Sequence, residues 1–258
     1  VMPIHLRHCA VMQKRSALVI GASSPGGLGE ASARRLAADG FAVTVSGRNA
    51  RRLDSLAEEI GGQARVCDVL DEESIAAAAT AVGTLDVLVN TAGTTMGRSI
   101  VNISRAEIEA QLAMHVTANI LLLKHFGPRM PRGGSIILFS SVVSQRAGAG
   151  LVAYSAAKAA LDHVVRVAAL EFGPLGIRVN AIAPGFVHTP MTDAFLGDDR
   201  LRTLYERETA LGALTQPGQV AAAVAYLAAA DCYATGEITQ VSGGAQLCRL
   251  PRKSELKG

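Results

Sequence analysis

Tyr154 and Lys158 stand four residues apart, with Ser141 thirteen residues upstream of the tyrosine. On a helix, residues at that interval share a face, so the Lys158 ammonium can lie beside the Tyr154 phenol. A neighbouring cation favours the phenolate and lowers a pKa that is ordinarily about 10. That would make Tyr154 a proton donor and acceptor near neutral pH. Taken alone, the spacing fits an amphipathic helix with one aromatic and one solvated lysine. The elements around the pair decide between the two readings.

Short β-branched runs at 17–20, 42–45, 64–67, 85–89, 135–139 and 178–182, with a weaker one at 237–241, alternate with Ala/Leu-rich helical stretches. The helical stretches lie near 28–39, 50–60, 72–82, 104–130, 151–173 and 218–230. Several of the runs are apolar throughout, as in strands buried on both faces of a parallel sheet. Alternation of this kind predicts an α/β fold, a single-domain, doubly wound parallel sheet flanked by helices with right-handed crossovers. Ligands of such sheets bind at the carboxyl ends of the strands. Gly21, Gly47-Arg48, Asp68, Asn90, Ser140-Ser141 and Pro184-Gly185 each follow one of the runs.

The 258 residues are 49% hydrophobic and 4% aromatic, with no Trp, which predicts a core of Ala, Val, Leu and Ile. A net charge of +3, dispersed along the chain, argues against nucleic-acid and membrane-surface partners. Cys9, Cys67, Cys232 and Cys248 form no Cys-x-x-Cys spacing, so no metal site is expected and the thiols read as reduced, in a cytoplasmic protein. No apolar run reaches the roughly 18 residues that span a bilayer, and 1–15 reads as a flexible arm rather than a secretory signal. The expected division is that arm, a catalytic and dinucleotide-binding domain at 16–247 with a substrate lid near 190–214, and a tail at 248–258.

The first run leads into Gly-Ala-Ser-Ser-Pro-Gly-Gly-Leu-Gly (21–29), which opens a helix. Glycines let a backbone approach a pyrophosphate, and a helix N-terminus offers unpaired N–H groups and the positive end of its dipole. The plainer alternative is a glycine-rich strand–helix turn without a ligand.

With this loop, Asp68-Val69, Asn90-Thr91-Ala92-Gly93, Ser141, Tyr154-Ser155-Ala156-Ala157-Lys158, the segment Pro184-Gly185-Phe186-Val187-His188-Thr189 and Val241-Ser242-Gly243-Gly244, the chain resembles the short-chain dehydrogenase/reductase family from about Ser16 to about Leu247. The resemblance implies a Rossmann sheet of seven strands, a nicotinamide cofactor and a homotetramer, with a homodimer as the smaller alternative. One departure is the distance from Gly21 to Gly27, two residues longer than the family's Gly-x-x-x-Gly-x-Gly. Pro25-Gly26 is the simplest insertion. The family's divergent enoyl-reductase branch also has a long loop, but it separates its tyrosine and lysine more widely. The close pair here implies carbonyl chemistry.

The resemblance assigns the cofactor to Gly21, Ser23, Ser24, Gly27, Leu28 and Gly29 of the loop, then to Arg48, Asp68, Val69, Asn90, Ala92 and Gly93. Tyr154, Lys158, Pro184, Gly185, Val187 and Thr189 complete it. Asp68 would receive the adenine amino group, whereas Asn90 reads more naturally as a tie between strands. NAD-dependent relatives carry Asp where this chain has Gly47, and Arg48 follows. A guanidinium suits a phosphate dianion, so NADP(H) is expected over NAD(H), with an exposed loop arginine as the alternative reading of Arg48.

Hydride transfer between nicotinamide and a carbonyl or carbinol carbon is the implied reaction. Tyr154 would exchange the proton, Ser141 would orient the substrate oxygen, and Lys158 would hold the ribose hydroxyls and depress the Tyr154 pKa. Ser140 reads as structural. Where the family places an asparagine in its long fourth helix, the count reaches His115, a candidate proton relay between Lys158 and solvent. The alternatives are that Asn119, one turn later, takes the place, or that His115 only hydrogen-bonds a backbone carbonyl.

On the substrate side, Met191, Phe195, Leu196 and Tyr205, with Phe186, would give an apolar wall. Thr94, Met96, Val143 and Arg146 would face it. These features predict a ketone or secondary alcohol of a small, fairly apolar molecule. A β-ketoacyl thioester reductase is the alternative and would need a basic docking face, for which Arg129 and Arg132 are a thin candidate. A non-catalytic dinucleotide-binding regulator is disfavoured by the retention of Ser141, Tyr154 and Lys158.

Overall fold

The computed structural model describes residues 14–249. Seven parallel strands, β1 (Ser16–Ile20), β2 (Ala42–Gly47), β3 (Gln63–Val66), β4 (Val87–Asn90), β5 (Ser135–Phe139), β6 (Arg178–Pro184) and β7 (Ile238–Val241), form one sheet in the order β3-β2-β1-β4-β5-β6-β7. Strand order reverses between β1 and β4, where Val19 pairs with Val45 on one side and Val89 on the other. A crevice opens at such a switch point, beyond the carboxyl ends of the strands.

The apolar runs have a simple cause. In β1, Leu18 and Ile20 face one core and Ala17 and Val19 the other; in β5, Ile136 and Leu138 face the first and Ile137 and Phe139 the second. Successive side chains of a strand point to opposite faces, and helices cover both, so neither set is polar. Each buried Leu or Ile contributes about 1.5–3 kcal/mol.

The helices on one face are α1 (Leu28–Ala38), α2 (Ala50–Ile60) and α9 (Pro217–Ala228). On the other lie α3 (Glu72–Val82), α4 (Arg105–Leu112), α5 (Ala118–Phe126) and α6 (Val152–Phe172). Asn49 and Asp71 cap α2 and α3 through their side chains, and Ser104 with Glu107 forms a capping box on α4.

The stretch expected as one helix over 104–130 is broken. A π-helical turn, Ala113–Thr117, separates α4 from α5, and a 3-10 turn closes the segment at Gly127–Arg129. The expected lid contains two short helices, α7 (Asp193–Leu196) and α8 (Asp199–Arg207). Residues 1–13 of the expected arm and 250–258 of the tail lie outside the described residues. Arg15 is anchored, donating to the Ala228 carbonyl at 2.8 Å, and Arg249 pairs with Glu208 at 3.1 Å. No helix among the described residues is long and apolar enough to cross a membrane.

Candidate active site

Two adjoining clefts, of about 220 and 120 Å³, run along the carboxyl edge of the sheet and share Leu28, Thr91–Thr94, Thr189 and Met191 in their walls. Gly21 turns the chain out of β1 at φ +86°, its N–H and that of Ala22 both donating to the Ser46 carbonyl. A β-carbon at Gly21 would lie 2.5 Å from Thr91 Oγ1 and 2.6 Å from Ala92 N, and one at Gly29 would run into the Gly21 carbonyl. Both positions therefore demand glycine, and they bring the start of α1 against the strand edge. Gly27 begins α1 without a side-chain cap, so no side chain competes for the helix terminus. The inserted turn is tied back by Gly26 N to Glu30 Oε2 at 2.7 Å, and Arg34 bridges Glu30 and Glu59.

These features fit a nicotinamide dinucleotide. The larger cleft is walled by Gly21, Ser23, Ser24, Gly27, Leu28 and Gly29 on the loop side and by Arg48, Asp68, Val69, Ala92 and Gly93 opposite. Asp68 is fixed by its backbone, with Oδ1 accepting from Leu70 N at 3.0 Å. Arg48 is exposed at the rim. Gly47 is buried, and a β-carbon there would lie 2.8 Å from Ser23 Oγ. Pro184, Gly185, Val187 and Thr189 line the smaller cleft with Ser141, Tyr154, Lys158 and His115. Asn90 borders neither cleft: Nδ2 donates to Asn119 Oδ1 at 2.9 Å and Oδ1 accepts from Ala92 N at 3.1 Å, so it ties β4 to α5 instead of touching a ligand.

Tyr154 and Lys158 share one face of α6, with Nζ 5.7 Å from the centre of the phenol ring, and Ser141 lines the same cleft. Lys158 Nζ donates to the Phe139 carbonyl at 2.6 Å. Burial pushes Lys158 down to about 7, with Asp162 acting against it. Burial also pushes Tyr154 above the ordinary phenol value, with the nearby Ser141 hydroxyl opposing. This reverses the expected acidification: desolvation disfavours both charged forms, and the ammonium is turned towards the Phe139 carbonyl.

His115 sits in the π-helical turn and is buried. A carbonyl only accepts, so the 2.7 Å contact of Nε2 with the Thr94 oxygen puts the ring proton on Nε2 and leaves Nδ1 as a buried acceptor with no partner among the described residues. Burial and the Lys158 charge hold His115 down to about 4, so it is neutral. Asn119 does not reach the cleft; its Nδ2 donates to the His115 carbonyl at 2.9 Å.

Of the expected substrate wall, Thr94 and Met191 line the smaller cleft. Met96, Val143, Arg146 and Phe186 are not among the lining residues of either cleft. Phe186 packs on Tyr205, ring centres 4.0 Å apart, Leu196 is fully buried, and the Phe195 side chain lies outside the described residues. Arg129 and Arg132 precede β5, at the sheet edge opposite the clefts, and donate to the carbonyls of His125 and Pro174. Thr91, Cys67 and Met114 line the larger cleft without having been singled out from the sequence; for Thr91 its place inside Asn-Thr-Ala-Gly was the available signal.

A family model described as enoyl-(acyl carrier protein) reductase matches residues 21–246. The short-chain reductase protein NovJ of Streptomyces niveus is 40% identical over 252 residues, covering 91% of this chain and 95% of its own. The 3-oxoacyl-(acyl-carrier-protein) reductase FabG of Aquifex aeolicus is 34% identical, with 90% and 98% covered. A solved structure described as a variant of actinorhodin polyketide ketoreductase with NADPH shares 29% identity and superposes with a TM-score of 0.82, covering 90% of this chain and 97% of that one.

Proposed function

The chain belongs to the short-chain dehydrogenase/reductase family and is an oxidoreductase acting on CH–OH/C=O groups; from that premise we propose an NADP(H)-dependent enzyme that moves hydride between nicotinamide and a ketone or secondary alcohol of a small, fairly apolar substrate. The observation that carries this reading is that Tyr154 and Lys158, on one face of α6, share a cleft with Ser141, and this cleft adjoins the one lined by the glycine loop. The four-residue spacing of Tyr154 and Lys158 supports carbonyl over enoyl chemistry, despite the description of the matching family model.

A bound nicotinamide supplies or accepts the hydride. Tyr154, kept protonated by burial, gives its proton to the carbonyl oxygen, and Ser141 hydrogen-bonds that oxygen as charge develops on it. The raised Tyr154 pKa suits reduction, in which the phenol starts neutral. Lys158 would hold the nicotinamide ribose, and His115 would serve as the relay, its buried Nδ1 being open to accept a hydrogen bond. Arg48, exposed at the larger cleft, supports NADP(H) over NAD(H).

A β-ketoacyl thioester is the second reading, favoured by the name of the Aquifex relative. The thin basic docking face it would need, Arg129 and Arg132, lies ahead of β5, where the two side chains donate to the His125 and Pro174 carbonyls. An apolar groove between α5 and α6, with Ile120, Val164 and Val167 in its walls, supports assembly as a homodimer or homotetramer. The free thiols of Cys67, Cys232 and Cys248 are compatible with the cytoplasm.

Turnover of a panel of ketones and secondary alcohols with both phosphorylated and unphosphorylated nucleotides tests the reading, with acetoacetyl thioester as a separate arm. The ketone arm is expected to turn over with NADPH. Tight NADPH binding without turnover of any carbonyl would instead favour a regulator.

A further inference from the structure

Three consecutive residues at the end of β5 each meet a different turn of α6. The Phe139 carbonyl accepts from Lys158, Ser140 Oγ donates to Asp162 Oδ1, and the Ser141 hydroxyl lies near Tyr154, opposing its shift. Tyr154, Lys158 and Asp162 follow at four-residue intervals and so form one stripe of the helix. Asp162 is 5% exposed and Ser140 4%. A carboxylate buried to that degree is costly unless something compensates its charge, yet among the described residues Asp162 makes no direct ion pair. The cation on its own stripe is Lys158, one turn away.

We infer that Asp162, held by Ser140, is a positioning residue for the catalytic lysine: its carboxylate is the buried counter-charge that keeps Lys158 an ammonium, and its bond to Ser140 sets how Ser141 meets Tyr154. The catalytic consequence rests on the oxidoreductase reading above. The titrating groups around Lys158 are few. Tyr154 and Asp162 share its helix, and His115, neutral, approaches from the π-helical turn; β5 offers the Phe139 carbonyl and the Ser140 and Ser141 hydroxyls. With Lys158 already held down to about 7 by burial, and Asp162 acting upward, loss of the carboxylate would take the ammonium away below neutral pH.

The test is a pH titration of the Lys158 side-chain Cε resonance in the full chain labelled with ¹³C-lysine, assigned by its loss in Lys158→Met. In Asp162→Asn, which keeps an acceptor for Ser140 but removes the charge, the midpoint is expected to fall by on the order of one pH unit. In Ser140→Ala it should move the same way by less, and in Asp162→Glu it should stay near the wild type. The alkaline limb of kcat/KM should follow the midpoint. An Asp162 that only braces the fold would lower Tm and leave the midpoint alone. An unmoved midpoint in folded Asp162→Asn overturns the inference, and if that variant does not fold, an unmoved midpoint in Ser140→Ala does so. Because the titration needs neither substrate nor turnover, its failure leaves the reductase reading intact. A displaced midpoint in a protein that reduces nothing would count against that reading alone.

Discussion

The imidazole of His115 meets the ring of Tyr154 edge to face, with centroids 5.3 Å apart and planes inclined at 72°. Its proton is committed to the Thr94 carbonyl, so the ring is a neutral, oriented partner of the phenol rather than a second cation. His115→Ala should lower kcat roughly tenfold or more through loss of this support, an effect of the size general acid–base positioning supplies. His115→Asn, whose amide can still donate to Thr94, should recover most of it. If neither variant changes turnover or the pH-rate profile, His115 has no part in proton relay.

His115 also makes a stability prediction. Its folded-state pKa of about 4 lies below the ordinary 6.5, so between those values the unfolded chain binds more protons. The contribution is therefore fully present above pH 6.5 and is lost as pH falls towards 4. At pH 5 the loss is about 2 kcal/mol. The drop in Tm from pH 7 to pH 5 should be smaller in His115→Asn than in the wild type, as read by thermal melts at the two pH values.

Removing the phenolic hydroxyl should abolish chemistry while leaving the cradle intact. Tyr154→Phe is expected to cut kcat by roughly 10²- to 10⁴-fold with NADPH affinity within a few-fold of wild type. Stopped turnover with retained binding, measured by fluorescence titration, is the expected pattern; loss of both would place Tyr154 in cofactor binding instead.

Arg48 should discriminate between the two nucleotides. A charge-assisted bond to a phosphate contributes about 1.5–3 kcal/mol, less at an exposed rim, so Arg48→Ala should weaken NADPH binding by roughly tenfold and leave NADH unchanged. Equal losses for both nucleotides would refute the assignment.

The turn at Gly21 tolerates no side chain. Gly21→Ala forces an L-residue to φ +86° against Thr91, a strain on the order of 1–3 kcal/mol before the clash is counted. The variant is expected to lose several degrees of Tm and most of its nucleotide affinity. Calorimetry checks both.

The strands were legible because burial on two faces leaves an unbroken apolar run, as in Ala17–Ile20. The candidate site residues Ser141, Tyr154 and Lys158 were legible because each follows a strand or keeps a fixed helical interval. The π-helical turn was not: Ala113–Thr117 holds no Gly or Pro to mark a break, and the turn involves a contact distant in sequence, His115 with Thr94. Spacing also placed Lys158 beside Tyr154 without revealing how deeply both are buried, so the direction of the tyrosine's shift came out reversed. Asp162 carried no motif; its contact with Ser140 appears only when the end of β5 is laid against α6. Met96, Val143 and Arg146 were placed by their nearness to the motifs, and loops do not conserve direction over that distance.

The contact between Gly47 and Ser23 restricts how this chain could ever switch its redox partner. Installing an acidic group at 47 by a single exchange would drive it into the serine hydroxyl. Such a change requires Ser23 to rotate away or be replaced, so the outcome of an exchange at 47 depends on the residue at 23. The space at position 47 is thus set by a neighbouring side chain as well as by the backbone.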